Sequence, residues 1–495
     1  MNCPKCGKEN PDGAQICISR GQVLKNDTSE KPAAKPKTSK LAIASFILSF
    51  LSLFLCFLAG IPSIILGIIS IVQIGKSRGK LKGKPFAVAA IVISILLMSA
   101  VFLWSLDAPP IENDYTIADL RSVPAECEQS YELLKKLADE NDLLSDAPAI
   151  GLSQQDINNL GEINKIFKED GYENIHAKLT ANAENILRVW QNAQKGRDII
   201  NQLNTFPEIA DLTKPYMTEF LKFFPNFRRL ILLHRTFVCL QSCQGNEEIT
   251  LNELLKLDDV VRKLDVNARS FITKLVYIAC FSVNIETANF IINNPKTSED
   301  SLKLLAEHFQ PLTNEHTSLQ NPMIFEYLTF KNELINIDKK SMHSPFLKLN
   351  STLRLYKNFW DCQIAAEKGC QEISKLSVWP SIYPDVAGQI DPNGKMPWFY
   401  KVYNPIGSLY LAILMPAFDR IFQINTKLQI HYDLLQIVLN KRLGREVNLK
   451  ARAYSDEYIV DLENKKIFSP GPDGIPHTKD DIKLMINPEV LNFKK

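Results

Sequence analysis

Two stretches of this chain carry no charged side chain at all: residues 41–74, from Leu41 to Ile74, and residues 85–106, from Pro85 to Leu106. Nothing else in the sequence constrains the fold as much. A helix rises about 1.5 Å per residue and a bilayer's hydrocarbon core is about 30 Å thick, so about 20 apolar residues cross it. The stretch 85–106 is one span. The stretch 41–74 would measure on the order of 50 Å as a single helix, and Gly60 and Pro62 interrupt it near the middle. Proline removes a backbone donor and crowds the preceding turn, which predicts a break there. Residues 41–74 then form either a hairpin of two short helices, Leu41–Leu58 and Ile61–Ile74, or one tilted, kinked helix. The polar residues 1–40 that come first do not read as a cleavable signal peptide, which begins with its apolar stretch.

Charge gives the orientation. The chain is nearly neutral, with 57 Lys and Arg against 55 Asp and Glu and a net charge of +2, so no global field calls for a nucleic acid partner. The loop "GKSRGKLKGK" nevertheless gathers Lys76, Arg78, Lys80, Lys82 and Lys84 with no acid. Short loops rich in Lys and Arg stay on the cytoplasmic side. Beyond the second stretch the chain turns acidic at Asp107, Glu112 and Asp114, whereas the segment before residue 41 carries Lys31, Lys35, Lys37 and Lys40. The expectation is an integral protein of the bacterial inner membrane. Its N-terminus and loop 75–84 are cytoplasmic, and residues 107–495 are exoplasmic or periplasmic.

The run "KLAIASFILSFLSLFLCFLAGIPSIILGIISIVQIGKSRGKLKGKPFAVAAIVISIL" resembles a small bacterial membrane domain of unknown function. That domain's signature is L-A-I-A-S, a G-I-P break, I-L-G-I, a basic loop and a second span. The resemblance covers roughly residues 39–104 and departs at Ala90, where the family has glycine. It implies membrane embedding, so that the lipid bilayer is a partner, and it carries no assigned chemistry.

At the front, "CPKCGKENPDGAQICISRG" (Cys3 to Gly21) resembles the mini zinc ribbons that often precede that domain. Cys3, Cys6 and Cys17 match the ribbon pattern, as do Gly7, Pro11 and Gly21. Arg20 stands where the fourth cysteine belongs, and a guanidinium has no lone pair for a metal. Structural zinc takes four ligands, which leaves three readings: a decayed ribbon over residues 1–24, a three-cysteine zinc site, or a site completed by a ligand from a second chain. Residues 25–40, "KNDTSEKPAAKPKTSK", have the composition of a flexible linker.

Residues 115–445 show the 3.6-residue rhythm of successive helices with short polar connections, as in "FRRLILLHRTFVCLQSCQ" and "ARSFITKLVYIACFSVNIETANFIIN". The fold class expected is mainly α: membrane helices, then an all-α domain of helical hairpins, with a ribbon-like N-terminus and a small β tail. A loop rich in proline and aromatics, residues 378–407, interrupts the helices and offers Trp379, Tyr383, Trp398 and Tyr400 as a binding surface. After it, a helix over about Ser408–Leu443 is expected to kink at Pro416. Parts of residues 220–485 resemble uncharacterised exported proteins of planctomycete-type bacteria, in which a helical domain precedes a pseudopilin-like tail.

In residues 446–495 the period changes to that of short strands, at Tyr458–Leu462, Ile467–Ser469 and Ile482–Ile486. "SPGPDGIPHTKDDI" resembles the calcium loop of type II secretion pseudopilins. The resemblance makes Asp473, Asp480 and Asp481 candidate calcium ligands, and His477 replaces the family's glycine. A solvated acidic turn is the alternative.

No HExxH, GxSxG, P-loop or dinucleotide fingerprint occurs. His308, Glu315 and His316 fit no helical metal pair and read as ordinary surface residues. The cysteines beyond residue 106 form no CxxC. The function expected is a membrane-anchored, non-enzymatic protein that presents its helical domain to an unidentified envelope protein, with no nucleic acid partner. The alternative is an envelope hydrolase sited in loop 378–407, with Asp385 or Asp391 as acid or base and His343 nearby.

Overall fold

The computed structural model describes residues 2–3, 5–21, 23–24, 36–55, 57–138, 147–168, 171–216, 222–340, 344, 346–369, 398–414 and 419–491. They form two compact units, Met1–Leu106 and Asp107–Lys495.

In the first unit α1 (Lys40–Leu55), α2 (Phe57–Lys76) and α3 (Lys84–Ser105) pack as an up-down-up bundle. At 16, 20 and 22 residues they measure about 24, 30 and 33 Å. The reversal falls between α1 and α2, ahead of the expected break at Gly60 and Pro62, and Pro62 lies inside α2. The reason is packing. Gly60 and Ser63 line the contact between helices, where a Cβ on Gly60 would run into the Met98 side chain and Ser63 Oγ donates to the Ser45 carbonyl at 2.7 Å. One lost backbone bond at proline is tolerated where neighbouring helices cover the site.

The bundle is sorted opposite to a water-soluble one. Its buried positions are small: Ala42, Ala59, Ala87 and Ala90, with Ser39, Ser45, Ser49, Ser52, Ser63, Ser70 and Ser94. Ser94 Oγ donates to Ser63 Oγ at 2.9 Å, and the Ser39 and Ser70 hydroxyls meet at 3.3 Å. Its exposed positions are large and apolar, among them Ile47, Phe50, Leu58, Ile65, Val92, Leu96 and Leu103. Small residues inside, hydroxyls bonded between helices and large apolar groups outside are the pattern of helices packed in lipid. A short parallel pair, β1 (Lys37–Thr38) with β2 (Leu81–Lys82), joins the start of α1 to the α2–α3 loop. Lys37, Lys40, Lys76, Arg78, Lys80, Lys82 and Lys84 therefore collect at one end of the bundle.

The second unit is helical, with a small sheet. It comprises α4 (Cys127–Lys135), α5 (Gln154–Asn164), α6 (Tyr172–Ala181), α7 (Ala183–Asn192), α8 (Gln194–Asn204), α9 (Phe224–Gln244), α10 (Glu247–Val266), α11 (Phe271–Ile292), α12 (Glu299–His308), α13 (Asn314–Thr317), α14 (Gln320–Lys340), α15 (Leu349–Gly369), α16 (Trp398–Tyr403), α17 (Pro405–Leu414) and α18 (Asp419–Arg442). Where one long helix over 408–443 was expected, α17 and α18 flank residues 415–418, which lie outside the described set. Helix α11, capped by Ser270 Oγ accepting from Thr273 N, is the axis: α9, α10 and α18 all pack on it. Among the described residues three segments are long and apolar enough to cross a membrane, 58–76, 84–103 and 271–292, but only 28% and 17% of the first two is buried against 67% of the third. The third, α11, is a core helix. A second core joins α14 and α15 through Tyr327, Tyr356, Phe359 and Trp360.

The tail is an antiparallel sheet in the order β3 (Ile459–Asp461), β4 (Lys466–Ser469), β5 (Ile482–Met485). It is docked on the helices. Ile467, Ile482, Leu484 and Ile486 join the main core, Asn289 Nδ2 donates to the Met485 carbonyl at 2.9 Å, and Asn487 N donates to Asn293 Oδ1.

A Cβ on Gly67 would lie 2.8 Å from Ile91 Cγ1. Gly67→Val is therefore expected to force α2 from α3 and cost about 1–3 kcal/mol by overpacking. Unfolding of the purified protein in detergent measures this, and an unchanged midpoint would refute the close α2–α3 contact.

Candidate metal centre and a buried ionic network

Residues 2–24 fold as two knuckles related by a shift of 14 positions. Bridges Asn2–Glu9 and Ile16–Val23 close them. In one, Gly7 N donates to the Cys3 carbonyl at 2.9 Å; in the other, Gly21 N donates to the Cys17 carbonyl at 2.8 Å. Both glycines adopt the left-handed conformation that these turns require, at φ +67° and +63°. Asn10, which sequence reading missed, is buried between the knuckles: its Oδ1 accepts from Ile18 N and its Nδ2 donates to the Lys8 carbonyl.

The sulfurs of Cys3, Cys6 and Cys17 lie within 4.8 Å of one another, and Cys6 and Cys17 are 3.7 Å apart. Tetrahedral zinc with Zn–S near 2.3 Å sets sulfurs roughly 3.8 Å apart, so these three fit that metal. The Ser19 backbone N–H donates to the Cys17 sulfur and brings that thiol down to about 7. Arg20, the counterpart of Cys6 in the second knuckle, is exposed. Three thiols converge, and no described side chain of the second knuckle joins them as a fourth ligand.

The acidic loop is built differently. Asp473 Oδ1 accepts from Ile475 N at 2.8 Å, Asp481 Oδ2 from His477 N at 3.0 Å, and Asp480 Oδ1 from Thr478 Oγ1. The Thr478 hydroxyl, followed by smaller influences, holds the Asp480 carboxyl below the usual range. His477 takes φ +65°, the conformation of the glycine it replaces. Among the described residues the three cysteines are the group of candidate ligands whose atoms converge.

Trp379 and Tyr383, like His343, Asp385 and Asp391, lie outside the described residues. Trp398 and Tyr400 fall on α16, with side chains outside the described set. His308 and His316 are not the surface residues expected. His308 Nε2 is 2.9 Å from Asp258 Oδ2, and His316 Nδ1 is 3.4 Å from Asp265 Oδ2, with both aspartates buried. Arg262 Nε donates to Asp258 Oδ2 at 2.7 Å, Asn284 Nδ2 donates to Asp258 Oδ1 at 2.9 Å, and Arg262 also reaches the Tyr432 hydroxyl. Lys274, itself buried, pairs with Asp265 at 2.9 Å. Burial alone would raise the Asp258 carboxyl; the bonds from His308 and Arg262 outweigh it and hold the group below its ordinary range. One sequence signal was available: Asp258 and Asp265 are seven residues apart on the apolar face of α10, with Arg262 one turn after Asp258.

Among the described residues no serine, threonine or cysteine hydroxyl or thiol bonds to either histidine. Cys127, Cys239, Cys243 and Cys280 are free and buried, and burial pushes the Cys280 thiol up to about 12. Such thiols are inert. An open cleft of about 360 Å³ lies beside Asp265, with Arg121 and Glu315 3.8 Å apart on its wall.

With this geometry in place, the comparisons with known proteins can be stated. Residues 41–104 match the family described as "Domain of unknown function (DUF4190)". No curated protein and no solved structure matches the chain. The matched segment is the three-helix bundle, whose long apolar helices suggest membrane association.

Two outcomes are expected. If the open corner is what limits metal retention, Arg20→Cys will keep zinc through chelator concentrations that strip the parent protein; equal loss from both would refute a three-thiolate site. Separately, burial pulls His234 down to about 4, and it packs edge-on to Trp190. As pH falls from about 6.5 the unfolded chain takes up a proton that the folded chain refuses, so stability present at neutral pH is lost progressively toward pH 4. Denaturation followed by tryptophan fluorescence will show that loss, and His234→Gln will lessen but not abolish it, because burial also pulls His431 down to about 4; identical slopes would exclude His234 as a source.

Proposed function

We propose that this chain is a membrane-anchored, non-enzymatic protein of the bacterial inner membrane that holds a helical domain in the envelope for binding or scaffolding another protein. The observation that carries the reading is the inverted bundle with every flanking cation at one end. Lys and Arg beside spans resist translocation. With Lys76 to Lys84 in the cytoplasm, α3 delivers Asp107 and all that follows to the opposite side. Helices α1 and α2 return the chain to the cytoplasm, which keeps the N-terminal knuckles there, where thiols stay reduced. Cys3, Cys6 and Cys17 would hold zinc in that compartment. The metal would supply the fold energy that so short a segment lacks.

The scaffolding half of the reading rests on the helical unit. Its ionic pairs are closed within the core, and helical hairpins build broad surfaces for partners.

The topology has a direct test. An alkaline phosphatase fused after Lys495 should be active and a fluorescent protein at the same point dark, and protease added to spheroplasts should digest residues 107–495 while sparing a tag before Cys3. The reverse pattern would overturn the orientation. Crosslinking of intact envelopes should then leave a defined protein attached to the helical unit.

A further inference from the structure

The second knuckle repeats the backbone of the first but not its second thiol. With the shift of 14 positions Cys17 answers Cys3, Gly21 answers Gly7, and Arg20 answers Cys6. The turns match, since Gly7 N and Gly21 N close them on the Cys3 and Cys17 carbonyls at 2.9 and 2.8 Å. The backbone N–H groups of Ser19 and Arg20 both donate to the Cys17 sulfur. Arg20 therefore starts from the place where a fourth thiol would start, and its side chain is exposed. Between Met1 and Cys56 the sequence holds no histidine, and no cysteine beyond Cys3, Cys6 and Cys17. Glu9 and Asp12 lie in the same segment, yet among the described residues no carboxylate converges on the three sulfurs. A second copy of the chain has the same deficit, with no spare thiol or imidazole in this segment to lend.

Zinc held by three protein ligands keeps its fourth position for water or an incoming group, whereas a closed structural site has four. Soft thiolates suit that position best where thiolates already hold the metal. A divalent metal with three thiolates is already net negative, which by itself discourages a further anion. The surroundings offset that charge. Lys5 lies between Cys3 and Cys6, Lys8 follows Gly7, and both are exposed, as Arg20 is. Residues 1–24 hold these three cations against Glu9 and Asp12 alone. A guanidinium also takes a carboxylate in a bidentate fork, so Arg20 offers geometry as well as charge. A neutral imidazole would use the metal but neither the cations nor the fork.

We infer that Cys3, Cys6, Cys17 and Arg20 form a binding site for an anionic thiol from outside the chain, whose sulfur completes the metal's coordination while Arg20 holds a carboxylate beside it. This rests on the reading of the three cysteines as metal ligands. On binding, the S–H bond of the incoming thiol breaks and its proton passes to solvent. The sulfur lone pair bonds to the metal in place of a water, and nothing is oxidised or reduced. The ligand class is a thiol with a carboxylate a few bonds away, which a free thiol acid and a cysteine beside acidic residues both offer.

The experiment uses the full chain in detergent, kept anaerobic and given one equivalent of Co²⁺, which takes zinc's place and reports thiolate bonds as a charge-transfer band. The probes are 3-mercaptopropionate, a blocked tripeptide of aspartate, cysteine and glutamate, 2-mercaptoethanol and imidazole. With either acidic thiol the band should grow to saturation by roughly a third, as four sulfurs replace three. Whichever of the two saturates at lower concentration identifies the source as a free thiol or a peptide cysteine. 2-Mercaptoethanol, which has no carboxylate, should need about two- to fivefold more, the share of an exposed ion pair, and imidazole more still. Arg20→Gln should keep the growth and lose the preference for the acidic thiols. Arg20→Cys should show the larger band from the outset and no growth. Absence of the band in the parent would overturn the metal reading and the inference together. A band that thiols leave unchanged, or abolish by extracting the metal, would overturn the inference and leave the three-thiolate site standing. Equal growth in Arg20→Cys, a preference retained in Arg20→Gln, or saturation by imidazole below the thiols would each overturn it as well. The starting band of each variant shows that its knuckles are folded.

Discussion

A leucine gains nothing by leaving one hydrocarbon environment for another, and this fact organises the first hundred residues. Helices in lipid associate through close backbone approach and interhelical hydrogen bonds. The bundle accordingly buries Ser45, Ser63, Ser94, Ala59 and Ala87 and turns Ile65, Val92 and Leu96 outward. Gly67 lets α2 approach α3 so closely that the Ile91 side chain occupies the space of a Cβ. In water that exterior would be an aggregation surface. The same sorting requires that charges leave the bundle at its ends, and the chain places them all at the end where α1 begins, α2 stops and α3 starts.

Helix α11 shows why burial, rather than apolar length, separates an anchor from a core. It is as long as α2 and apolar enough to cross a membrane, yet it is enclosed by α9, α10 and α18, and its polar residues are used. Lys274 meets Asp265, Asn284 meets Asp258, and Asn289 and Asn293 hold the tail. Burying such charges costs several kcal/mol per ion unless partners satisfy them. Here each pair joins α10 to a different neighbour: α11 through Lys274 and Asn284, α12 through His308, α13 through His316 and α18 through Tyr432. An apolar core would allow α10 to rotate or slide; these contacts fix its register.

The anchor was legible in the sequence because charge is absent over 41–74 and 85–106 and dense between them. The position of the turn was not, because Gly60 and Pro62 carry the local signature of a break while their neighbours serve close helix contact. The three cysteines were legible as a convergent set, but Asn10, which joins the knuckles, looks like any loop asparagine. The pairing of His308 with Asp258 spans 50 residues, and that of His316 with Asp265 spans 51. Single-sequence periodicity reports only which face of a helix is apolar, so it cannot say which carboxylate a distant histidine will meet. The β tail followed from its alternation, whereas its docking on Asn289 and Asn293 depends on a surface that exists only once α11 is placed.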